Sequence, residues 1–337
     1  MQRWIHTLPF LFFIFTCSFL YKVTLQPDCF LCFPVPFKWS VSAEDILRQG
    51  NAIVFLETSN RLELSSLVSC SVESASRTYP DRPVIFFMKG LGNNSIIQDK
   101  NSSHEAFSLL SAMKNVHIFP LHMETLLQDT PLLPWYFQAE PEKEHHWIHI
   151  SSDACRLAII WKYGGIYMDT DIISIQPIST ENFLAAQSSK YFSSGSFGFQ
   201  HHNQFVWNCM EDFVRNFNGK IWGQQGPGLF TRMIAKFCEL PEFPKMEDKI
   251  CNNISFLHPH RFYPIPYPAW KKYYQVWKNP PIFNESYALH LWNYMNSEGK
   301  SVESGSNTLV ENLYKVHCPS TYEILIKSYG AKNGQKY

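Results

Sequence analysis

An α/β domain built on a parallel sheet covered on both faces is predicted from three observations on this 337-residue chain. Continuous apolar runs of strand length alternate with helical stretches from the first globular residues onward. Those runs do not alternate with polar residues, as buried parallel strands do not. The composition, 45% hydrophobic and 16% aromatic with only 17% charged residues, supports one large core and excludes disorder. Lys+Arg (29) and Asp+Glu (29) balance, so the chain lacks the excess cation that binding to nucleic acid requires.

The elements follow in order. Ala52-Ile53-Val54-Phe55-Leu56 reads as the first strand, and the polar Glu57-Thr58-Ser59-Asn60 follows it. Leu67 to Tyr79 reads as a helix ended by Pro80, Val84 to Met88 as a strand, His104 to Lys114 as a helix and Val116 to Phe119 as a third strand. Parallel sheets bind ligands at the carboxyl ends of their strands, which makes Glu57 and Thr58 candidate site residues. Trp147, Ile150, Ala154, Leu157, Ala158 and Trp161 keep helical spacing; Ser151 or Ser152 is the expected cap and Gly164-Gly165 the stop. A short buried strand, Ile166-Tyr167-Met168, then runs into Asp169-Thr170-Asp171 and Ile172-Ile173. Further on, residues 183–186, 197–199 and 287–292 suit strands, and 204–217 and 229–238 suit helices. No repeat, low-complexity tract or linker divides residues 50–327.

Part of the apolar content lies outside this domain. Residues 4–21 carry no charge; at ~1.5 Å per residue they reach ~27 Å, and counting through Leu25 gives ~33 Å, enough to cross a bilayer. No small-x-small cleavage site closes the run, so an uncleaved signal anchor is expected ahead of a removed signal peptide. The expected layout is a cytoplasmic tail at 1–3, a transmembrane helix at 4–25, a Pro-rich stem at 26–50 and a luminal domain at 51–337. Of nine cysteines, Cys17 falls in the anchor and eight lie beyond it, an even number that suits an oxidising lumen without choosing a pairing. Cys29 and Cys32 read as stem cysteines, since no second pair follows at zinc-site spacing. Sequons at Asn93, Asn101, Asn253 and Asn284 agree with a luminal side.

Asp169 and Asp171 are the strongest chemical signal. In extended backbone, residues i and i+2 face the same way, so a strand end would present both carboxylates to one hard cation, Mn2+ or Mg2+, able to neutralise a diphosphate leaving group. A solvated turn is the bland alternative, and a phosphohydrolase with an aspartyl nucleophile is a further one that lacks its later acidic pair. Asp153 and Arg156, three apart on the preceding helix, form either an ordinary ion pair or contacts to sugar and phosphate.

Together, Ser152-Asp153-Ala154-Cys155-Arg156, Tyr163-Gly164-Gly165-Ile166-Tyr167-Met168-Asp169-Thr170-Asp171, Trp222-Gly223-Gln224-Gln225-Gly226-Pro227 and His290-Leu291-Trp292-Asn293 resemble the DxD sugar transferases of glycosyltransferase family 32. The resemblance covers nearly the whole luminal chain. It implies a GT-A, Rossmann-like fold, residence in the Golgi membrane as a single-pass type II protein, and a retaining reaction with Mn2+ (or Mg2+). The implied donor is UDP-N-acetylglucosamine, and the implied acceptor is the terminal galactose of mucin-type O-glycans, in alpha-1,4 linkage. Galactosyl transfer from UDP-galactose to a lactosyl glycolipid is the alternative within the family. By resemblance Asp169 and Asp171 hold the metal, Asp153 and Arg156 touch the donor sugar, His290 is a third metal ligand and Gln225 lies near the anomeric carbon. His290 as a core histidine and Gln225 as a plain helix start are the competing readings. From a different class, a luminal glycan-binding protein would use Trp222, Trp270, Trp277 and Trp292 as stacking surfaces.

Overall fold

The computed structural model describes residues 41–93, 102–188, 191–239, 242–243 and 245–334. The expected anchor, most of the stem, Cys17, Cys29, Cys32 and Asn101 lie outside the described residues. Among the described residues no helix is long and apolar enough to cross a membrane.

Helix α1 (Ala43–Leu47) buries Ile46 and Leu47 within the segment read as stem, and the Ser42 side chain caps it by accepting from Asp45 N–H. Strand β1 (Ile53–Glu57), helix α2 (Ser66–Thr78), strand β2 (Val84–Met88), helix α3 (Ser102–Ser111) and strand β3 (Val116–Pro120) follow as the apolar runs predict. Short helices α4 (Met123–Leu127) and α5 (Leu132–Gln138) lead into α6 (Trp147–Tyr163) and β4 (Gly165–Met168). Next come β5 (Ile172–Ser174), β6 (Phe183–Ser188), β7 (Tyr191–Phe199), α7 (Gln204–Arg215), α8 (Pro227–Phe237), β8 (Lys249–Cys251) and β9 (Ile254–Leu257). Strand β10 (Ala288–His290) and helices α9 (Leu309–His317) and α10 (Pro319–Gly334) complete the chain.

The main sheet has the order β3-β2-β1-β4-β7-β6-β9-β8. Its first four strands are parallel, whereas β7 runs antiparallel to β4, which corrects the expectation of a wholly parallel sheet. The reversal follows the chain path: after β4 and β5 the chain runs out along β6 and comes back antiparallel to it as the long strand β7, which inserts between β6 and β4. Strand β5 pairs antiparallel with β10 in a separate two-stranded sheet, Ile172 opposite His290. That ribbon carries a late residue back to the turn after β4.

Burial on both faces explains why the strands read as continuous apolar runs. Ile53 and Phe55 face a core shared with α2 and α9, while Val54 and Leu56 face the opposite core under α6. Two disulfides brace the body, Cys70–Cys318 across 248 residues and Cys238–Cys251 across 13. Cys155 and Cys209 are buried and unpaired, so an even cysteine count does not translate into full pairing. Burial pushes the Cys155 thiol up to about 12, which keeps it protonated and inert.

Candidate active site

The site is positioned by the passage from α6 to β4. Seventeen residues long, α6 is buried along most of its length, and it stops at Gly164 (φ 72°). Gly165 (φ 100°) then lets β4 run close beside β1: a Cβ there would lie 2.4 Å from the Ala52 carbonyl oxygen. Ser151 and Ser152 do not cap this helix. They lie inside it, buried, and Ser152 Oγ instead accepts from Arg156 at 2.7 Å; His146 occupies the cap position without a side-chain bond.

After Met168 the backbone turns rather than remaining extended. Asp169 N–H donates to the Gly195 carbonyl of β7 at 2.8 Å, and Ile172 N–H returns to the Asp169 carbonyl at 3.2 Å. The two carboxylates therefore converge across a tight turn, and not by the i, i+2 alternation of a strand. The β5–β10 pairing brings the third group in: His290 Nε2 lies 3.2 Å from Asp171 Oδ1 and 3.9 Å from Asp169 Oδ2.

The two carboxylates are tied down further, whereas His290 Nδ1 is buried without a hydrogen-bond partner. Tyr167 OH donates to Asp169 Oδ1 at 2.6 Å, Arg156 Nη1 lies 3.1 Å from the same oxygen, and Asn293 N–H donates to Asp171 Oδ2 at 2.8 Å. Burial would raise Asp169, but Arg156, His290 and Tyr167 outweigh it and hold its carboxyl below the usual range. Asp171, under the same burial and beside the Asp169 charge, is raised despite His290. Burial lowers His290, and the two aspartates more than reverse this.

One ligand atom from each of Asp169, Asp171 and His290 lies within 4.8 Å of the others. Two carboxylates and an imidazole form a donor set for a divalent cation such as Mn2+ or Mg2+. Space for the ion is kept by Gly195, where a Cβ would stand 2.9 Å from Asp169 Oδ2 and 3.5 Å from His290 Nε2. The residues present thus fit a divalent cation, with His290 offering the third donor atom.

A cavity of about 450 Å3 opens over this floor, lined by Asp153, Arg156, Asp169, Gly195, Gln225 and a cluster of aromatic rings. Arg156 is largely consumed inside the protein. Its guanidinium donates to Ser194 O at 2.7 Å, spans Ser152 and Asp169, and lies 4.4 Å from the Tyr167 ring centre. It braces the metal end more than it faces solvent. Asp153, 3.5 Å from Arg156, is pushed up to about 6 by burial, Arg156 opposing and Asp169 reinforcing the shift. Gly226 gives it room, since a Cβ there would come 2.7 Å from the Asp153 carboxylate.

Gln225 is buried at the cavity wall just before α8, whose first residue is Pro227. Its Nε2 donates to the Phe213 carbonyl at 2.7 Å, leaving Oε1 buried without a partner. Glu57 and Thr58 do not line this cavity: Glu57 accepts from Ser59 N–H at 2.8 Å and Thr58 donates to the Ile148 carbonyl at 2.8 Å. Of the four tryptophans, Trp222 and Trp292 line it, while Trp270 is buried in the core and is not a stacking surface. Asn93 ends a short helical turn, and Asn253, at φ 61°, sits between β8 and β9; Asn284 O accepts from Gln176 at 2.7 Å.

Tyr167, Ser194, Gly195 and Asn293 were missed in the sequence reading. Tyr167 could have been found, because it precedes Asp169 by two and shares its face. The others reach the site only through long-range pairing.

The carboxylate-rich turn lies at the floor of a cavity, where the parallel part of the sheet meets a part of mixed direction, an arrangement that fits a glycosyltransferase of the DxD class. Residues 65–190 match the family described as "Glycosyltransferase sugar-binding region containing DXD motif", and residues 198–325 match "Alpha 1,4-glycosyltransferase conserved region". The chain belongs to this alpha-1,4-glycosyltransferase family. It is 59% identical over 314 residues to the alpha-1,4-N-acetylglucosaminyltransferase of Homo sapiens, covering 93% of this chain and 92% of that relative. It is 40% identical over 282 residues to the lactosylceramide 4-alpha-galactosyltransferase of Homo sapiens, covering 82% and 77%. The Mus musculus galactosyltransferase is 36% identical over 331 residues, covering 94% and 90%.

Proposed function

We propose that this protein transfers N-acetylglucosamine from UDP-N-acetylglucosamine, in alpha-1,4 linkage and with retention, to terminal galactose of mucin-type O-glycans. The observation that carries the reaction class is the convergence of Asp169, Asp171 and His290 beneath the cavity that Asp153 also lines. The similarity to a relative named for this transfer, at 59% identity, favours N-acetylglucosamine over galactose as donor sugar.

A divalent ion, Mn2+ or Mg2+, when held by Asp169, Asp171 and His290, supplies positive charge for the departing diphosphate. The chain's own residues orient the reactants. Asp153, as carboxylate, accepts from a hydroxyl of the donor sugar, and Arg156 and Tyr167 fix the Asp169 side chain. Gln225 lies on the wall of the same cavity, with its Oε1 buried and without a hydrogen-bond partner. The acceptor 4-hydroxyl oxygen forms the new bond to the anomeric carbon on the face from which UDP departs. The bond from that carbon to the diphosphate breaks, and a diphosphate oxygen takes the hydroxyl proton.

The same reading places the domain in the Golgi lumen behind an N-terminal anchor at residues 4–25, which the long apolar run and the sequons support. The test is a transfer assay of purified protein with Mn2+, offering UDP-N-acetylglucosamine and UDP-galactose side by side against a β-galactoside. Faster turnover of UDP-galactose would replace the proposed donor with the second reading, and no transfer from either would sink the reaction.

A further inference from the structure

The proposed donor contacts, Asp153 and Asp169, account for only part of the cavity lining. Trp222, on the loop before α8, and Tyr294, just after β10, stack with ring centres 4.0 Å apart and planes 9° from parallel. They remain 46% and 56% exposed, although both line the cavity that reaches Asp153 and Asp169. His149 stands edge-on to both rings, at 4.6 Å from Trp222 and 5.1 Å from Tyr294. Each half of the stack sits close in sequence to a site residue, Trp222 three before Gln225 and Tyr294 four after His290.

We propose that the stacked Trp222–Tyr294 pair is the acceptor platform, and that it selects galactose by the shape of that sugar's apolar face. This rests on the transferase reading above and adds to it the residues that choose the acceptor. Large, flat, half-exposed rings in a cavity that also carries Asp153 and Asp169 provide apolar area with one wet edge, suited to a ligand that is apolar on one side only. Galactose is such a ligand. Its C–H bonds at carbons 3, 4 and 5 gather on one face because the 4-hydroxyl is axial and projects from the other. Stacked on a ring through that face, galactose turns its 4-hydroxyl away from the ring and leaves it open to attack on the donor. Glucose also has axial C–H groups on both faces, but its equatorial 4-hydroxyl lies in the plane of the ring edge, so stacking does not turn that oxygen away from the platform. One platform thus favours galactose and aims the hydroxyl that an alpha-1,4 linkage requires.

The stack also ties the loop carrying Gln225 to the segment whose Asn293 N–H holds Asp171. The acceptor platform and the metal turn therefore share one short stretch of chain, so an acceptor seated on the rings is held near the donor.

The experiment compares wild type with Trp222→Ala, Trp222→Phe and Tyr294→Ala, using a phenyl β-galactoside and a phenyl β-glucoside as acceptors and UDP-N-acetylglucosamine as donor with Mn2+. Trp222→Ala should raise the galactoside KM about tenfold while the donor KM moves less than twofold. Trp222→Phe should recover most of the loss, and the preference for galactoside over glucoside should shrink in both alanine variants. An unchanged galactoside KM, or a donor KM that rises equally, overturns the platform. Wild type that releases UDP with Mn2+ but glycosylates no galactoside also overturns it while sparing the donor site; wild type that does neither overturns the transferase reading itself.

Discussion

The two ends of the cavity are built by opposite rules. At the metal end the carboxylates and the guanidinium have assigned partners: Tyr167 and Arg156 on Asp169, Asn293 on Asp171, Ser152 and Ser194 on Arg156. At the ring end, Trp222 and Tyr294 are half exposed and touch mainly other aromatic groups. Fixed charges must be held in place, because in a buried setting a displaced carboxylate costs far more than a displaced ring. Apolar faces tolerate adjustment, which suits an acceptor whose remainder extends out of the cavity. The contrast separates the part that performs chemistry from the part that chooses what receives the sugar.

The largest expected effect breaks the metal end. Asp171→Asn should lower transfer by ~10³-fold or more at unchanged folding, measured as product formed with saturating donor; activity close to wild type would remove the metal site from the account. Gly195→Ala comes next, because its Cβ would crowd Asp169 Oδ2 and Ser193 Oγ. It should reduce transfer by ~10²-fold by filling the ion's space, and a variant with full activity at ordinary Mn2+ would show the ion lies elsewhere. Tyr167→Phe keeps the ring under Arg156 and deletes the hydroxyl with its bonds to Asp169 and Ser152. The Mn2+ concentration for half-maximal activity should rise ~10–100-fold, with the donor KM at saturating metal as the control.

Asp153 gives the pH dependence. Burial lifts it to about 6, so the carboxylate that receives the sugar hydroxyl protonates as pH falls through about 6, and transfer should show an acid limb there. Its effect on stability has the opposite sign. A folded pKa raised above the ordinary 3.8 means that this group favours the fold fully below 3.8, and the favour is lost as pH rises through about 6. Asp153→Asn should flatten both trends, and an acid limb that survives the substitution assigns it to another group. The smallest effect sharpens the ring end: Tyr294→Phe keeps the stack and should change the galactoside KM by less than about twofold, whereas a larger change would assign a role to the hydroxyl.

Legibility in the sequence followed the range of the interactions. Strands β1 to β3 and the helices between them were readable because their cores are two-sided and their boundaries are set by nearby polar residues and Pro80. The passage from α6 through Gly164-Gly165 to Asp169 was readable for the same reason. Strand β7 was read only at its end, since Ser193-Ser194-Gly195-Ser196 looks like loop; it is buried there because Gly195 must pass beneath Asp169. The serine caps of α6 failed because local capping preference lost to a buried guanidinium that needed Ser152. His290 was placed by resemblance and pattern, but its approach to Asp171 depends on a β5–β10 pairing across more than a hundred residues. The partnership of Trp222 with Tyr294 left no sequence signal.

The clasp between the first and last parts of the domain orders events during synthesis. Cys70 and Glu73 lie on α2, near the beginning of the folded body, and their partners are Cys318 and the Ser320 and Thr321 N–H groups at the start of α10. Those partners lie 247 to 248 residues further along the chain. Before α10 has emerged, the Cys70 thiol lacks its partner and Glu73 has only Arg77 of its own helix, at 2.8 Å, so the clasp on α2 closes long after the helix itself is made.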